Sequence, residues 1–185
     1  ADIFRLDGTT ADRPVQVIPY DPVAAEKGGY KHFMLKEIFE QPQALSNTLL
    51  NRLPADNESI PLDLPWSDEE LRAITRVSIV ACGTSWHAGL VGKFYLEQLA
   101  RVGTEIDYAS EFRYREPVVE PGTLALGITQ SGETADTLAA LKEAASRGAK
   151  TLVICNAQGS TATRQADATL LTHAGPEIGV ASTKA

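Results

Sequence analysis

The sequence predicts an α/β domain: a three-layer αβα sandwich on a five-stranded parallel sheet, preceded by a helical and linker segment. Three observations carry this. The apolar runs at 76–82, 123–129 and 150–155 are continuous rather than alternating, as expected of strands covered on both faces. Helical patterns at 85–101 and 133–147 separate strand candidates, with further strands at 105–108 and 168–172. Strands alternating with helices pair in parallel through right-handed crossovers, which gives a doubly wound sheet.

Taken in order, residues 1 to 30 differ from the remainder. Ile3-Phe4-Arg5-Leu6 and Val15-Gln16-Val17-Ile18 are strand-like, with the turn sequence Asp7-Gly8-Thr9-Thr10 between them. Tyr20 to Gly29 is polar, carries Pro22, Gly28 and Gly29, and reads as a linker. From Tyr30 the pattern turns helical. Leu35, Ile38, Pro42, Leu45 and Leu49 share one face, which could serve the core or a partner, and Pro42 predicts a kink or a break. The proline-containing stretch 54–65 reads as a loop. Ser67 followed by Asp68, Glu69 and Glu70 reads as a capped helix start, the helix ending near Thr75.

In the α/β part, Leu90, Val91, Phe94, Tyr95 and Leu99 form a stripe on the first long helix, and Leu138, Leu141, Ala144 and Ala145 on the second. Gly103 and Gly148 stand where helix C-terminal caps belong. Ala181 to Ala185 has the small and hydroxyl residues of a helix opening, so the chain reads as a fragment cut at both ends.

Composition narrows the function classes. The net charge of −7 disfavours nucleic acid or an anionic membrane as main partner. No apolar run has the length of a membrane span and no signal segment opens the chain, so a cytoplasmic location is expected. Cys82 and Cys155 each end an apolar run and read as free thiols. With no CxxC and no paired histidines at ligand spacing, no metal or other cofactor is expected.

The residues that carry chemistry lie after two strands. Gly83-Thr84-Ser85 follows the first, and Gln130-Ser131-Gly132-Glu133-Thr134 follows the third. A glycine lets backbone approach a ligand, and a helix start offers unpaired N–H groups with partial positive charge. Hydroxyls beside those groups make an anion site that needs no lysine. The plainer reading of each turn is a helix cap, and of Glu133 a favourable first-turn acid. Ser131 and Thr134, three apart, can face one group, while Gln130 both donates and accepts, as sugar hydroxyls require. In doubly wound sheets ligands bind beyond the carboxyl ends of the strands, where both turns lie. His87 reads as a packing residue beside Trp86, and Arg113 and Arg115 as solvated or subunit-facing.

Cys82 to Ser85, Glu111 to Arg115 (EFRYR), Gln130 to Thr137 (QSGETADT) and Glu177 to Ala185 (EIGVASTKA) resemble the sugar isomerase (SIS) domain of the glucosamine-6-phosphate synthase family. Lys36-Glu37-Ile38 and Glu40-Gln41-Pro42 resemble the helical segment leading into that domain. The resemblance implies the flavodoxin-like form of the sheet. It implies residues 1–29 as the tail of a glutaminase domain and linker, and 30–185 as a first SIS subdomain truncated at its C-terminal end. It implies Ser85, Gln130, Ser131 and Thr134 on a phosphate, helped by Thr84 and Thr129, with Cys82, Gly83, Val180 and Ser182 lining a sugar pocket. The whole enzyme would make glucosamine 6-phosphate and glutamate from fructose 6-phosphate and glutamine, with glucose 6-phosphate as an analogue ligand, and would be a homodimer. The family's proton-shuttling glutamate, ring-opening histidine and Schiff-base lysine match nothing here, so no catalytic residue is expected and the isolated chain should be inactive. Lys184 ends the match as a structural residue. The competing readings are a SIS-domain sugar-phosphate sensor and a fructosamine-phosphate deglycase.

Overall fold

The computed structural model describes residues 2–12, 22–50, 52–53, 60 and 62–185. The Val15–Ile18 run and most of the 54–65 loop lie outside the described residues. A long helix α1 (Phe33–Leu49) and a short α2 (Asp68–Arg72) precede β1 (Arg76–Ala81). Helix α3 (Gly83–Tyr95) continues as one wide π turn (Leu96–Ala100) into β2 (Gly103–Tyr108) and a single turn α4 (Ala109–Phe112). Then come β3 (Thr123–Thr129), α5 (Ala135–Ser146), β4 (Lys150–Cys155), α6 (Thr161–Gln165) and β5 (Ala168–Leu171).

The five strands form one sheet, order β2-β1-β3-β4-β5, with every pairing parallel. The expected doubly wound fold is therefore present. Val80, Ala125 and Val153 pack on one face against Ala109 and Phe112 of α4, Ala140, Leu141 and Ala144 of α5, and Ala162 of α6. Val77, Ile79, Leu124 and Leu152 form the opposite layer, with Leu96 and Ile106 against them. The chain leaves β1 toward β2 on one side and returns to β3 on the other. The switch point thus lies between β1 and β3, where the connections diverge and leave a crevice. Their register pairs Ala81 with Ile128, so the turns after both strands emerge level.

Several local expectations change. The N-terminal turn closes on Thr10 and Ala11: Phe4 bridges Thr10, and the Ala11 amide donates to the Ile3 carbonyl at 2.7 Å. Pro22–Ala25 forms a 3₁₀ turn inside the linker. Pro42 does not break α1, which is assigned helical on both sides of it. Proline removes one intrahelical hydrogen bond there, and the remaining turns carry the helix. Ser67 caps α2 as expected: its hydroxyl accepts from the Glu70 amide, and the Glu70 carboxylate accepts from the Ser67 amide. That helix ends at Arg72, short of Thr75.

The apolar face of α1 points outward, one of the two expected readings, and the stripe on α3 is reversed. Leu35, Ile38, Leu45 and Leu49 of α1 are exposed, whereas Lys36, Glu37 and Ala44 are buried. On α3, Val91, Phe94, Tyr95 and Leu99 are exposed, and Ser85 and Gly89 are the buried positions. The reason on α3 is proximity. A Cβ on Gly89 would stand 2.7 Å from Ile106 Cδ1 and 2.9 Å from Ile79 Cγ2, so the helix lies on the sheet by its small side. The stripe on α5 holds at Leu141 and Ala144, while Ala145 is exposed. Gly148 caps α5 with φ +94°, but the left-handed residue after α3 is Arg101, not Gly103, which opens β2.

Among the described residues, no helix is long and apolar enough to cross a membrane, and no group of three or more His, Cys, Asp or Glu is placed to hold a metal ion.

Candidate functional site

Both hydroxyl-rich turns emerge at the switch point and wall a cleft of about 180 Å³. From the β1 side come Cys82, Gly83, Thr84 and Ser85; from the β3 side Thr129, Gln130, Ser131 and Thr134; and from the C-terminal loop Ser182. Nine of the ten expected residues thus share one cleft. Val180 is not in its wall: it is more than half exposed, and its carbonyl accepts hydrogen bonds from the Thr183 amide and hydroxyl. Thr137, Ile128 and Ala181 complete the lining. Thr137 belongs to the QSGETADT stretch, but its near-complete burial could not be read from sequence.

The β1 turn begins at Gly83 with φ +58°, a left-handed backbone that L side chains adopt rarely. The chain then enters α3. Cys82 stands at the N-cap position with no side-chain capping bond, so neither turn hydroxyl is consumed as a cap for this helix. Thr84 is exposed, and the buried Ser85 hydroxyl lies 3.2 Å from that of Ser182. The first amides of α3 therefore open into the cleft with hydroxyls beside them, the arrangement that favours an anion.

The β3 turn is braced more heavily. Thr129 Oγ1 accepts from the Gly132 amide at 3.2 Å and lies 3.3 Å from Thr134 Oγ1. Ser131 Oγ accepts from the Glu133 amide at 3.2 Å, and the Gln130 carbonyl accepts from the amides of Asn156 and Ala157. Gly132 has φ +66° and sits against Ser160 and Cys155. Glu133 is turned away: its carboxylate accepts from the Thr161 amide at 2.7 Å, at the start of α6. That bond holds the Glu133 carboxyl below its usual range. It thus serves the neighbouring helix rather than the first turn of its own.

The remaining side chains sort by environment. Cys155 is buried and Cys82 partly so, both free thiols, with Thr137 Oγ1 3.9 Å from Cys82 Sγ. His87 is exposed rather than packed inward; its ring meets Trp86 edge-on and Nδ1 lies 3.2 Å from the Gly83 carbonyl. Arg113 pairs with Asp136 and Arg115 with Asp107, so both arginines are held beside α5 and β2. A larger apolar trough of about 540 Å³ runs beside α3, lined by Leu96, Leu126, Ile128 and Ile154. It shares Thr84, Ser85 and Ser182 with the polar cleft, but the rest of its wall is mostly aliphatic and lacks the Gln130–Thr134 turn, so the small polar cleft is the better chemical candidate.

The C-terminal loop brings Ser182 to this cleft by contacts that sequence reasoning missed. Glu37 of α1 is buried, and its Oε1 accepts from the amides of Ile178 at 2.6 Å and Gly179 at 2.9 Å. Glu177 accepts from the amides of Ser182, Thr183 and Lys184 at 2.6, 2.8 and 2.9 Å. Lys184 Nζ meets Glu40 at 2.6 Å, and Lys36 meets the same carboxylate at 3.2 Å. Burial works to raise the Glu40 carboxyl, but these two lysines outweigh it and hold it below the usual range.

A doubly wound domain with a hydroxyl-lined cleft at its switch point defines a class of small-anion-binding α/β proteins. The SIS domain profile matches residues 70–185, and the chain belongs to that family. Among relatives, it is 53% identical over 184 residues to glutamine–fructose-6-phosphate aminotransferase (isomerizing) of Methanosarcina mazei, covering 99% of this chain and 30% of that protein. It is 55% identical over 182 residues to the protein of the same name from Symbiobacterium thermophilum, covering 96% of this chain and 30% of that protein. The chain thus spans about 30% of the length of these curated relatives. Among solved structures, the C-terminal domain of glucosamine-fructose-6-phosphate aminotransferase from Francisella tularensis superposes with a TM-score of 0.78 at 48% identity. That match covers 86% of this chain and 44% of the other.

Proposed function

We propose that this chain is the sugar-phosphate-binding half of the isomerase unit of a glutamine–fructose-6-phosphate aminotransferase, and that its cleft holds the phosphate of fructose 6-phosphate. The observation that carries the reading is the convergence of Ser85, Ser131 and Thr134, with Thr84 and Thr129, on one cleft at the β1–β3 switch point, which Ser182 meets from the sugar side. Two helix starts supply amides, these five phosphate-side residues supply hydroxyls, and among the described residues no cationic side chain lines the cleft, so phosphate recognition here is by directed donors. The sugar carbons extend toward Cys82, Gly83 and Ser182, with Gln130 available to hydroxyls; glucosamine 6-phosphate and glucose 6-phosphate fit the same donors. Residues 1–29 are taken as the end of a glutaminase domain and its linker, and 30–185 as the first SIS subdomain. The contacts of α1 with the loop at 177–184 support counting that helix with the subdomain although the family match begins at residue 70. A cytoplasmic location goes with this reading.

Calorimetry with fructose 6-phosphate at millimolar concentration tests the proposal. Binding without isomerase turnover is expected, weakened about tenfold by Ser131→Ala. The lost hydroxyl is one charge-assisted bond, roughly 1.5 kcal/mol, and 1.4 kcal/mol is a tenfold change. No heat of binding, or turnover by the pure chain, would overturn it.

The exposed apolar face of α1 supports the homodimer. Phe39 and Leu45 are each 64% exposed, and Leu35, Ile38 and Leu49 extend the same surface. A contiguous patch of this kind marks an interaction site. Sedimentation equilibrium is expected to give a dimer that Leu45→Glu dissociates; a monomer at tens of micromolar contradicts it.

A further inference from the structure

We propose that Glu37, on the helix preceding the sheet, is a positioning residue for the cleft: its carboxylate fixes the Ile178–Gly179 turn and thereby sets Ser182 against Ser85. The inference rests on the reading of the cleft as a sugar-phosphate site.

Glu37 is 2% exposed, and the bonds its carboxylate makes are to backbone amides. Burying a carboxylate is costly unless strong donors replace water, and two aligned amides do so. The contact is close. A Cβ on Gly179 would lie 2.6 Å from Glu37 Oε2 and 2.8 Å from the Met34 amide nitrogen, so the turn is pressed onto α1 without space for a side chain. Three residues on, Ser182 has φ +62°, an uncommon backbone for a residue other than glycine, which surrounding contacts must enforce. Its hydroxyl is 3.2 Å from Ser85 Oγ.

The loop is also held beyond Ser182, since Gln41 Nε2 donates to the Thr183 carbonyl at 3.2 Å and Lys184 pairs with Glu40. One face of α1 therefore grips the loop on both sides of the residue that reaches the cleft. Among the described residues, none that walls the cleft belongs to α1. Glu37 thus acts on the sugar side of the site and leaves the phosphate side unchanged.

That asymmetry gives the test. In this chain, titration with fructose 6-phosphate and with inorganic phosphate is compared for wild type, Glu37→Ala and Glu37→Gln. Glu37→Ala is expected to weaken fructose 6-phosphate binding at least about tenfold, one lost charge-assisted bond being enough for that. Inorganic phosphate binding should change less than about twofold, well under the value of one such bond. Glu37→Gln keeps the acceptor oxygen and should fall between the two. Amide exchange should quicken at Ile178, Gly179 and Ser182 while β3 and β4 stay protected. Equal losses for both ligands, or no loss for either, overturn the positioning role; in the first case Glu37 only supports the fold. Absence of fructose 6-phosphate binding by wild type instead overturns the reading of the cleft, and this inference with it.

Discussion

Replacing Gly132 by alanine is expected to destabilise the domain by roughly 3 kcal/mol and to remove sugar-phosphate binding, because two penalties coincide at one atom. The first is conformational. Gly132 has φ +66°, and an L side chain there costs about 1–2 kcal/mol. The second is steric. The new Cβ would stand 2.0 Å from Ser160 Oγ, 2.5 Å from Ser160 Cβ and 2.9 Å from Cys155 Sγ. Ser160 and Cys155 are themselves buried, so neither can swing aside, and overpacking a site of this kind costs about 1–3 kcal/mol. The turn must move outward. It carries Ser131 and Thr134, and its Gly132 carbonyl accepts from Ala162 of α6, so cradle and helix are disturbed together. Urea unfolding and calorimetry check both parts. Gly83→Ala is the control: φ is +58°, but no atom lies within 4 Å of the new Cβ, so only the backbone penalty of about 1–2 kcal/mol applies. Equal destabilisation by the two variants would show that sterics at Ser160 do not matter.

The same contrast explains what the sequence reveals. Strands β1, β3 and β4 are legible because burial on both faces leaves a continuous apolar run, a strictly local signal. The Gly83 and Gly132 turns are legible because the backbone needs glycine where a strand feeds a helix against a ligand-sized space. Helix faces are not legible in the same way. The stripe Leu35, Ile38, Leu45 and Leu49 is real, yet periodicity reports that a face is apolar, not what covers it, and in this chain it points outward. The buried side of α1 is polar and is satisfied by amides 141 and 142 residues away at Ile178 and Gly179. No local pattern encodes that pairing. Only the family resemblance points to Ser182, for the same reason: it enters the cleft by a loop whose path depends on distant carboxylates. The same resemblance points to Val180, which lies outside the wall.

The loop's dependence on its own carboxylate leads to the second large effect. Glu177 accepts three consecutive backbone amides, those of Ser182, Thr183 and Lys184, at 2.6 to 2.9 Å. A carboxylate satisfied in this way replaces the helix or strand partners that a loop lacks, and bonds to a charged acceptor contribute about 1.5–3 kcal/mol each. Glu177→Ala removes the acceptor of the Ser182 and Lys184 amides and leaves the Thr183 amide only its 3.2 Å bond to the Val180 carbonyl. The loop contributes no residue to the two buried apolar clusters of the sheet, so the loss falls on loop order more than on global unfolding. Ser182 should leave its left-handed conformation and its place beside Ser85, and the Lys184–Glu40 pair should loosen with it. Fructose 6-phosphate binding is then expected to fall by about a hundredfold, roughly 2.8 kcal/mol, with little change in the urea midpoint. Glu177→Gln, which keeps one carbonyl acceptor, should recover part of the binding. A Glu177→Ala variant that binds like wild type would mean that the loop holds Ser182 without its carboxylate clamp. One that simply unfolds would place Glu177 in the core stability of the domain instead.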